Sequence, residues 1–339
     1  MKTLLISPSW LGDLIMAQSL FKVLKQQDPE GSLTVYAPKY LLPLLERMRE
    51  VDDTITNPFA HGEFNLTARW ADGRRLRQYG FDRVFVLPNS LKSALPAWFA
   101  GIPERIGFKG ESRYLLLNRM RKDKDAFPRM VERYVALAYP EVKSAPDLPS
   151  FDYPSLEVKA PSPELLERLG LDLSRPLLTL GCGANYGPAK LWPPEYFAKV
   201  CEFFIRRGGA VLGSGTKKDT PTVHAIMTYL PEDVLPYFHD ISGKTSLTEA
   251  LDLTGASAMA VCNDSGMMHT VAAAGLPQVC IFGSTSTGYT PPLSDKAICL
   301  ESDEPCHPCF ERTCRFGTYA CLKKLTPEMV IAQMEKLLS

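Results

Sequence analysis

An aspartate at the start of a helix, a lysine on a proline-stiffened loop and four glycine-rich turns are the features of this chain best suited to chemistry. Asp13 stands in "SPSWLGDLIMAQSLF", where the apolar run Leu4-Leu5-Ile6 passes through a short turn into a helix carrying Leu14, Ile15, Leu20 and Phe21. Turns of this build ordinarily receive a phosphate at the helix N-terminus, but this one lacks the G-x-G-x-x-G spacing and presents a carboxylate. A carboxylate repels a phosphate, whereas it can take a proton from an attacking hydroxyl. Asp13 is therefore read as a general base. The alternative is an ordinary first-turn residue that complements the helix dipole.

Phosphate-binding signals lie in the second half. Four strands there end in glycine-rich turns: "GCGANYGPAKLWP", "GSGTKKD", "NDSGMMHTVAAAG" and "FGSTSTGYTPP". In the third, Asn263-Asp264 close an apolar strand and Ser265-Gly266 open a helix whose first N–H groups suit a phosphate or pyrophosphate. One such loop reads more readily as helix capping by Asp264 or Ser265. Four at one sheet edge favour a nucleotide-bearing donor, with contacts expected from Asn185, Tyr186, Ser214, Asp264, Ser265, Gly266 and Met267. Lys190, after Gly187-Pro188-Ala189, is either a solvated surface lysine or a point charge that neutralises a phosphate leaving group. His269, one turn into its helix, is open between a packed core histidine and a substrate contact.

Basic side chains gather in the first half after "DRVFVLP": Lys92, Arg105, Lys109, Arg113, Arg119, Arg121 and Lys122, among Trp98, Phe99, Phe108 and Tyr114. A charge run is usually a solvated face. This one lies in a half without phosphate loops, so an anionic acceptor is expected there, met by Asn89, Ser90, Lys92, Arg105, Lys109 and Arg113.

The elements that must position these residues alternate between strand and helix. "KTLLISP", a helix over 14–27, "SLTVYAP", a helix over 40–48, a basic helical stretch near 66–79 and "DRVFVLP" predict a parallel sheet. The proline-rich stretch from Pro140 to Pro163 tolerates no regular element. "PLLTLGC" then restarts the alternation. With 339 residues the chain can bury two cores. Two doubly wound α/β domains facing a central cleft are expected over 1–160 and 161–325, with a closing helix over 326–339 packing back on the first.

Lys+Arg and Asp+Glu both number 38, so no global charge points to nucleic acid. No apolar run approaches the ~20 residues of a membrane span, and the N-terminus lacks a secretory h-region. A cytoplasmic protein is expected. Of nine cysteines, Cys182, Cys201, Cys262 and Cys280 sit singly in apolar patterns, and five crowd into 299–321. Cys306, Cys309, Cys314 and Cys321 have the spacing C-x₂-C-x₄-C-x₆-C around His307, which leaves open a structural metal such as zinc, reduced thiols in a packed loop, or disulfides, the last disfavoured in that compartment. The cluster lies past the last donor loop and is assigned to stability rather than chemistry.

"SPSWLGDLIMAQSL", "FDRVFVLPNSLKSALPAWFAGIPERIGFKGESRY", "FPRMVERYVALA", "GANYGPAKLWP" and "NDSGMMHTVAAAGLPQVCIFGSTSTGYTPPL" together resemble the ADP-heptose:lipopolysaccharide heptosyltransferases, over nearly the whole chain. The resemblance implies a GT-B fold and an inverting, metal-independent glycosyltransferase with no required cofactor. It implies an ADP-heptose donor and, as acceptor, the inner-core heptose of Kdo-lipid A, met peripherally at the cytoplasmic face of the inner membrane. Asp13 then falls on the base, Lys190 on the lysine facing the diphosphate, and Asp264, Ser265, Gly266 and His269 on the donor-binding helix start. Asp219 falls where an acidic residue meets the ribose, with a shorter side chain than that position usually carries. Other GT-B enzymes, a heptosyltransferase I-type or a nucleotide-sugar epimerase, are the first rivals, and a non-catalytic nucleotide-binding module is a second. A dehydrogenase is excluded because neither half carries the dinucleotide fingerprint.

Overall fold

The computed structural model describes residues 1–60 and 62–338. The chain divides into two units, Met1–Pro154 and Ser155–Ser339. That division falls inside the proline-rich stretch, a few residues before the expected one.

The first unit holds β1 (Lys2–Ile6), β2 (Ser32–Pro38), β3 (Asp53–Asn57), β4 (Arg83–Val86), β5 (Glu104–Phe108) and β6 (Arg119–Arg121). The second holds β7 (Leu177–Gly181), β8 (Ala210–Ser214), β9 (Phe238–Asp240), β10 (Met259–Asn263), β11 (Gln278–Phe282) and β12 (Ala297–Glu301). The sheet orders are β3-β2-β1-β4-β5-β6 and β12-β11-β10-β7-β8-β9, with every neighbour parallel. Counted within its own unit, each sheet therefore runs 3-2-1-4-5-6. In such sheets the chain winds outward from the middle in both directions, and ligands bind beyond the carboxyl ends of the strands where the direction reverses. That switch point lies between β1 and β4 in one unit and between β7 and β10 in the other.

Central strands of a parallel sheet are covered on both faces, so they are apolar throughout rather than alternating. Leu4 and Leu5 of β1, and every residue of β7 and β10, are buried accordingly. Helix Leu11–Gln27 covers one face of the first sheet with Leu14, Ile15, Leu20 and Phe21. The second core centres on Trp192, whose ring meets Phe197 edge-on at 4.9 Å and whose indole N–H donates to the Leu325 carbonyl at 2.7 Å. The closing helix, Pro327–Leu338, sends Val330 and Met334 into this same core and packs on helix Pro194–Arg206 and β11. It belongs to the second unit, where its buried stripe completes the Trp192 cluster.

Candidate active site

Each unit brings its chemistry to the switch point of its own sheet. In the first, β1 ends at Ile6 and Ser7-Pro8-Ser9-Trp10 turn the chain into helix Leu11–Gln27, with Asp13 in its first turn. The Tyr40 hydroxyl donates to the Ser9 carbonyl and pins the turn. Helix Met130–Ala136 packs on the Asp13 helix, and from it the Tyr134 hydroxyl donates to Asp13 Oδ1 at 3.4 Å. Asp13 is half-buried, a carboxylate oriented by the fold and still partly open to solvent.

Across the switch point, β4 runs through Pro88 and Asn89 to Ser90, the N-cap of helix Leu91–Ala100. Two of the arginines expected to meet an acceptor here do something else. Arg113 is fully buried, and its guanidinium donates to the carbonyls of Pro88, at 2.6 Å, and of Phe108, and to Asn89 Oδ1 at 3.5 Å. Desolvation pulls it down to about 10, against the opposing charge of Glu111. Arg105 donates to the carbonyls of Leu116, at 2.7 Å, and Ile102, at 2.6 Å, and burial lowers it too. Both are pins that tie strand ends to loops, because a buried guanidinium must satisfy its donors on the nearest carbonyls. Lys109 remains exposed, 5.5 Å above the Tyr114 ring, and Lys92 is half-buried at the helix start.

In the second unit, β7 ends at Gly181 and a loop leads through Asn185, Tyr186 and Gly187 to a short 3₁₀ turn, Pro188–Lys190. Asn185 is exposed; Tyr186 is half-buried, its ring centroid 4.8 Å from Lys190 Nζ. The Lys190 ammonium pairs with Asp264 Oδ2 at 2.5 Å, and the Thr285 hydroxyl donates to the same oxygen at 2.5 Å. Asp264 is buried, so it orients the lysine instead of capping the helix that follows. Ser265 is the N-cap of helix Gly266–Ala273, yet its side chain makes no cap bond. Plain helix capping by Asp264 or Ser265, the alternative reading of this loop, is thus not what the structure displays. The first amides of that helix, next to the paired lysine, suit an anion.

Asn263, fully buried at the end of β10, fixes the two loops together: its amide donates to the Cys182 carbonyl at 2.7 Å and its oxygen accepts from Trp192 N at 3.2 Å. His269 is buried, and desolvation pushes its imidazole down to about 4, with Lys190 lowering it further and Asp264 opposing. It is therefore a neutral ring at neutral pH. Met267 is half-buried against the Thr254 hydroxyl, and Ser214 closes β8 in the interior. Asp219 accepts from Thr216 N and Oγ1, both at 2.8 Å, closing the turn after β8. Its carboxylate occupies the space where a side chain at Gly183 would stand, so a larger residue there would displace it. Beside this turn, Lys217, Thr220, Pro221, His224, Ser242 and Gly243 line an open recess of about 580 Å³.

Among the described residues no three His, Cys, Asp or Glu side chains are grouped to hold a metal ion. The structural zinc that the cysteine spacing left open has no support. The Cys314 sulfur accepts backbone N–H bonds from Phe316, Thr318 and Tyr319, which lower it, while Cys321 is raised by burial and by the neighbouring Cys306, Cys309 and Cys314. This segment, assigned to stability from its position past the last donor loop, hydrogen-bonds the Lys190 loop.

Sequence reading missed Tyr134, Asn263 and Thr285. Asn263 and Thr285 both sit within quoted loops; the cue for Asn263 was a polar residue ending an otherwise apolar strand, next to Asp264, and Thr285 offered only its place in a glycine-rich turn. Tyr134 had no local cue, since it reaches Asp13 from 121 residues away.

Two doubly wound parallel sheets, one presenting a carboxylate and the other a lysine beside an uncapped helix start, describe a two-domain enzyme acting on a nucleotide-linked substrate. Residues 69–320 match Glycosyltransferase family 9 (heptosyltransferase), and the chain belongs to that family. It is 42% identical to lipooligosaccharide heptosyltransferase 2 of Haemophilus influenzae, with all of both chains covered. To lipopolysaccharide heptosyltransferase 2 of Salmonella typhimurium it is 40% identical, over 100% of this chain and 99% of the relative. The solved ADP-heptose lps heptosyltransferase II of E. coli superposes with a TM-score of 0.90 at 38% identity, covering 100% of this chain and 98% of that one. The fold is GT-B, and the chain is a glycosyltransferase.

Proposed function

We propose that this chain transfers heptose from ADP-heptose to the inner-core heptose of Kdo-lipid A in a single inverting displacement. The acceptor hydroxyl attacks C1 of the donor sugar and gives its proton to Asp13. The bond from C1 to the ADP oxygen breaks with its electrons passing to the diphosphate. Lys190 and the first amides of helix Gly266–Ala273 offset that charge, a role requiring no metal. The observation that carries the reading is the Lys190–Asp264 pair beside a helix start without a side-chain cap. A buried carboxylate holds the ammonium in place, and the diphosphate supplies what the helix start lacks. The recess beside Asp219 has a volume suited to the nucleoside, with Asn185, Tyr186, Ser214 and Met267 as further donor contacts.

Exposed Asn89 and Lys109 and half-buried Ser90 and Lys92 remain as the acceptor contacts on this reading. No described helix is long and apolar enough to cross a membrane. We place the enzyme peripherally on the cytoplasmic face of the inner membrane, where its lipid-linked acceptor is made. Supporting this, Phe64, Leu66, Trp70, Tyr114 and Leu115 are exposed in the first unit, with Arg74 over Trp70 at 5.1 Å and Lys109 and Lys122 over Tyr114 at 5.5 and 5.8 Å.

Turnover of ADP-heptose with purified truncated lipopolysaccharides tests the reading. ADP release with a mono-heptosylated acceptor, undiminished by a chelator, is expected. Release only with a heptose-free acceptor would move the enzyme to the preceding transfer. Loss of activity in chelator, restored by Mg²⁺ or Mn²⁺, would overturn the metal-free mechanism.

A further inference from the structure

The cysteine-bearing segment after β12 wraps the donor loop. The Tyr186 hydroxyl donates to the Phe310 carbonyl, and Ala189 N donates to the Arg312 carbonyl at 3.0 Å. Gly187 has φ 155°, and a side chain there would run into that same Arg312 carbonyl. The loop after β11 lies between the two: Ser284 N donates to the Ala189 carbonyl at 3.2 Å, and Phe310 N donates to the Ser284 carbonyl at 2.7 Å. His307 Nδ1 lies 2.7 Å from the Gly283 carbonyl, which can only accept, so this nitrogen carries the proton. Farther along, the Leu325 carbonyl takes the indole N–H of Trp192, two residues past Lys190. Residues 186–192 are thus held from both ends by 307–325.

We propose that segment 306–314 is a positioning clamp for the donor loop, with His307 as its latch through the Gly283 carbonyl. The physical reason is that the 3₁₀ turn Pro188–Lys190 is too short to hold its own geometry. The Lys190 ammonium is useful only where it meets both Asp264 and an incoming diphosphate, and a misplaced charge loses much of its effect on a leaving group. The clamp fixes the backbone from which that side chain springs, and the Asp264 carboxylate fixes its tip. His307 bonds the Gly283 carbonyl and not Lys190, so it acts on Lys190 through the loop backbone. The proposal rests on the donor reading of the Lys190 loop.

The experiment compares full-length wild type with His307→Ala and His307→Asn. The Asn amide restores an N–H donor close to where Nδ1 stood. Hydrogen exchange of the 186–190 amides reads the clamp without any ligand, and ADP competition binding reads its consequence. His307→Ala should speed exchange in 186–190 and weaken ADP about fivefold, the loss of one hydrogen bond. The donor KM should rise in step while the acceptor KM stays put, and His307→Asn should recover most of each effect. Unchanged exchange in 186–190 would overturn the clamp. So would faster exchange with unchanged ADP affinity, or an equal loss in both variants accompanied by a lowered Tm. If wild type itself fails to bind ADP, the donor reading falls, while the exchange comparison still decides the clamp.

Discussion

Asp13 and Tyr134 meet across two packed helices, and substitutions at the two residues separate a base from a helix residue. Asp13→Asn keeps the size and the hydrogen-bonding oxygen but cannot accept a proton at neutral pH. It should lower kcat by about 10²–10⁴ with little change in ADP affinity, whereas Tyr134→Phe, which removes one long hydrogen bond, should cost no more than a few-fold in kcat. Single-turnover rates check both, and an Asp13→Asn rate within a few-fold of the parent would return Asp13 to the helix. His269 makes a different prediction. Its folded value, about 4, lies below the ordinary 6.5, so the unfolded chain binds the proton more tightly. The neutral ring's contribution is complete above pH ~6.5 and is lost as pH falls toward ~4, amounting to about 3 kcal/mol. Urea unfolding across that window should show a steeper acid loss for wild type than for His269→Gln. Equal slopes would mean the imidazole is not desolvated in solution.

At the level of elements, the difference between Arg113 and Lys109 shows what a charge run in sequence conceals. Both stand in "FKGESRY", yet one is interior and the other exposed. Arg113→Ala removes the donor to the carbonyls of Pro88, Phe108 and Lys109 and should cost about 2–4 kcal/mol of stability. Lys109→Ala should leave stability within about 0.5 kcal/mol and raise the acceptor KM. A comparable acceptor defect without a stability loss in Arg113→Ala would restore it to the binding surface. Local pattern could not tell them apart, because burial there comes from the carbonyls of Pro88 and Phe108, supplied by neighbouring strand ends. The same limit explains the strands that were not foreseen. β1, β2, β7, β8, β10 and β11 are apolar because both faces are covered, and they were legible. β3 ("DTITN") is a partly exposed sheet edge, β6 ("RMR") and β9 ("FHD") have three residues each and β5 ("ERIGF") opens on two charged residues, so none of these carries the apolar run that marks a buried strand, whereas β12 ("AICLE") carries one and was overlooked. The glycine-rich turns after β7, β8, β10 and β11 were legible by composition alone. The Tyr134 contact and the grip of 307–325 on the Lys190 loop depend on distant pairings, for which no local pattern exists.

Taken as a whole molecule, the chain has balanced charge, 38 basic against 38 acidic residues, so any attraction to a lipid surface must come from local distribution. The first unit supplies one. Arg69 Nη1 donates to the Lys92 carbonyl at 3.0 Å, and Glu111 Oε2 accepts from Leu91 N at 2.7 Å, which ties the starts of helices Leu66–Arg77 and Leu91–Ala100 and the loop after β5 into one neighbourhood. Phe64, Leu66, Trp70, Tyr114 and Leu115 are exposed there, Leu115 at 86%, among Arg74, Lys92, Lys109 and Lys122. Exposed aromatics within a basic rim match an anionic bilayer, where rings lodge at the headgroup level and each nearby Lys or Arg adds about 1 kcal/mol. The protein should sediment with vesicles containing phosphatidylglycerol and not with pure phosphatidylcholine, and raising salt should release it. Lys109→Ala with Lys122→Ala should weaken binding by about 2 kcal/mol, roughly thirtyfold. Leu115→Asp should weaken it further while leaving ADP affinity and unfolding unchanged, since a side chain so exposed has no packing to lose. Salt-independent binding, or equal binding to neutral vesicles, would show that these side chains are merely solvated.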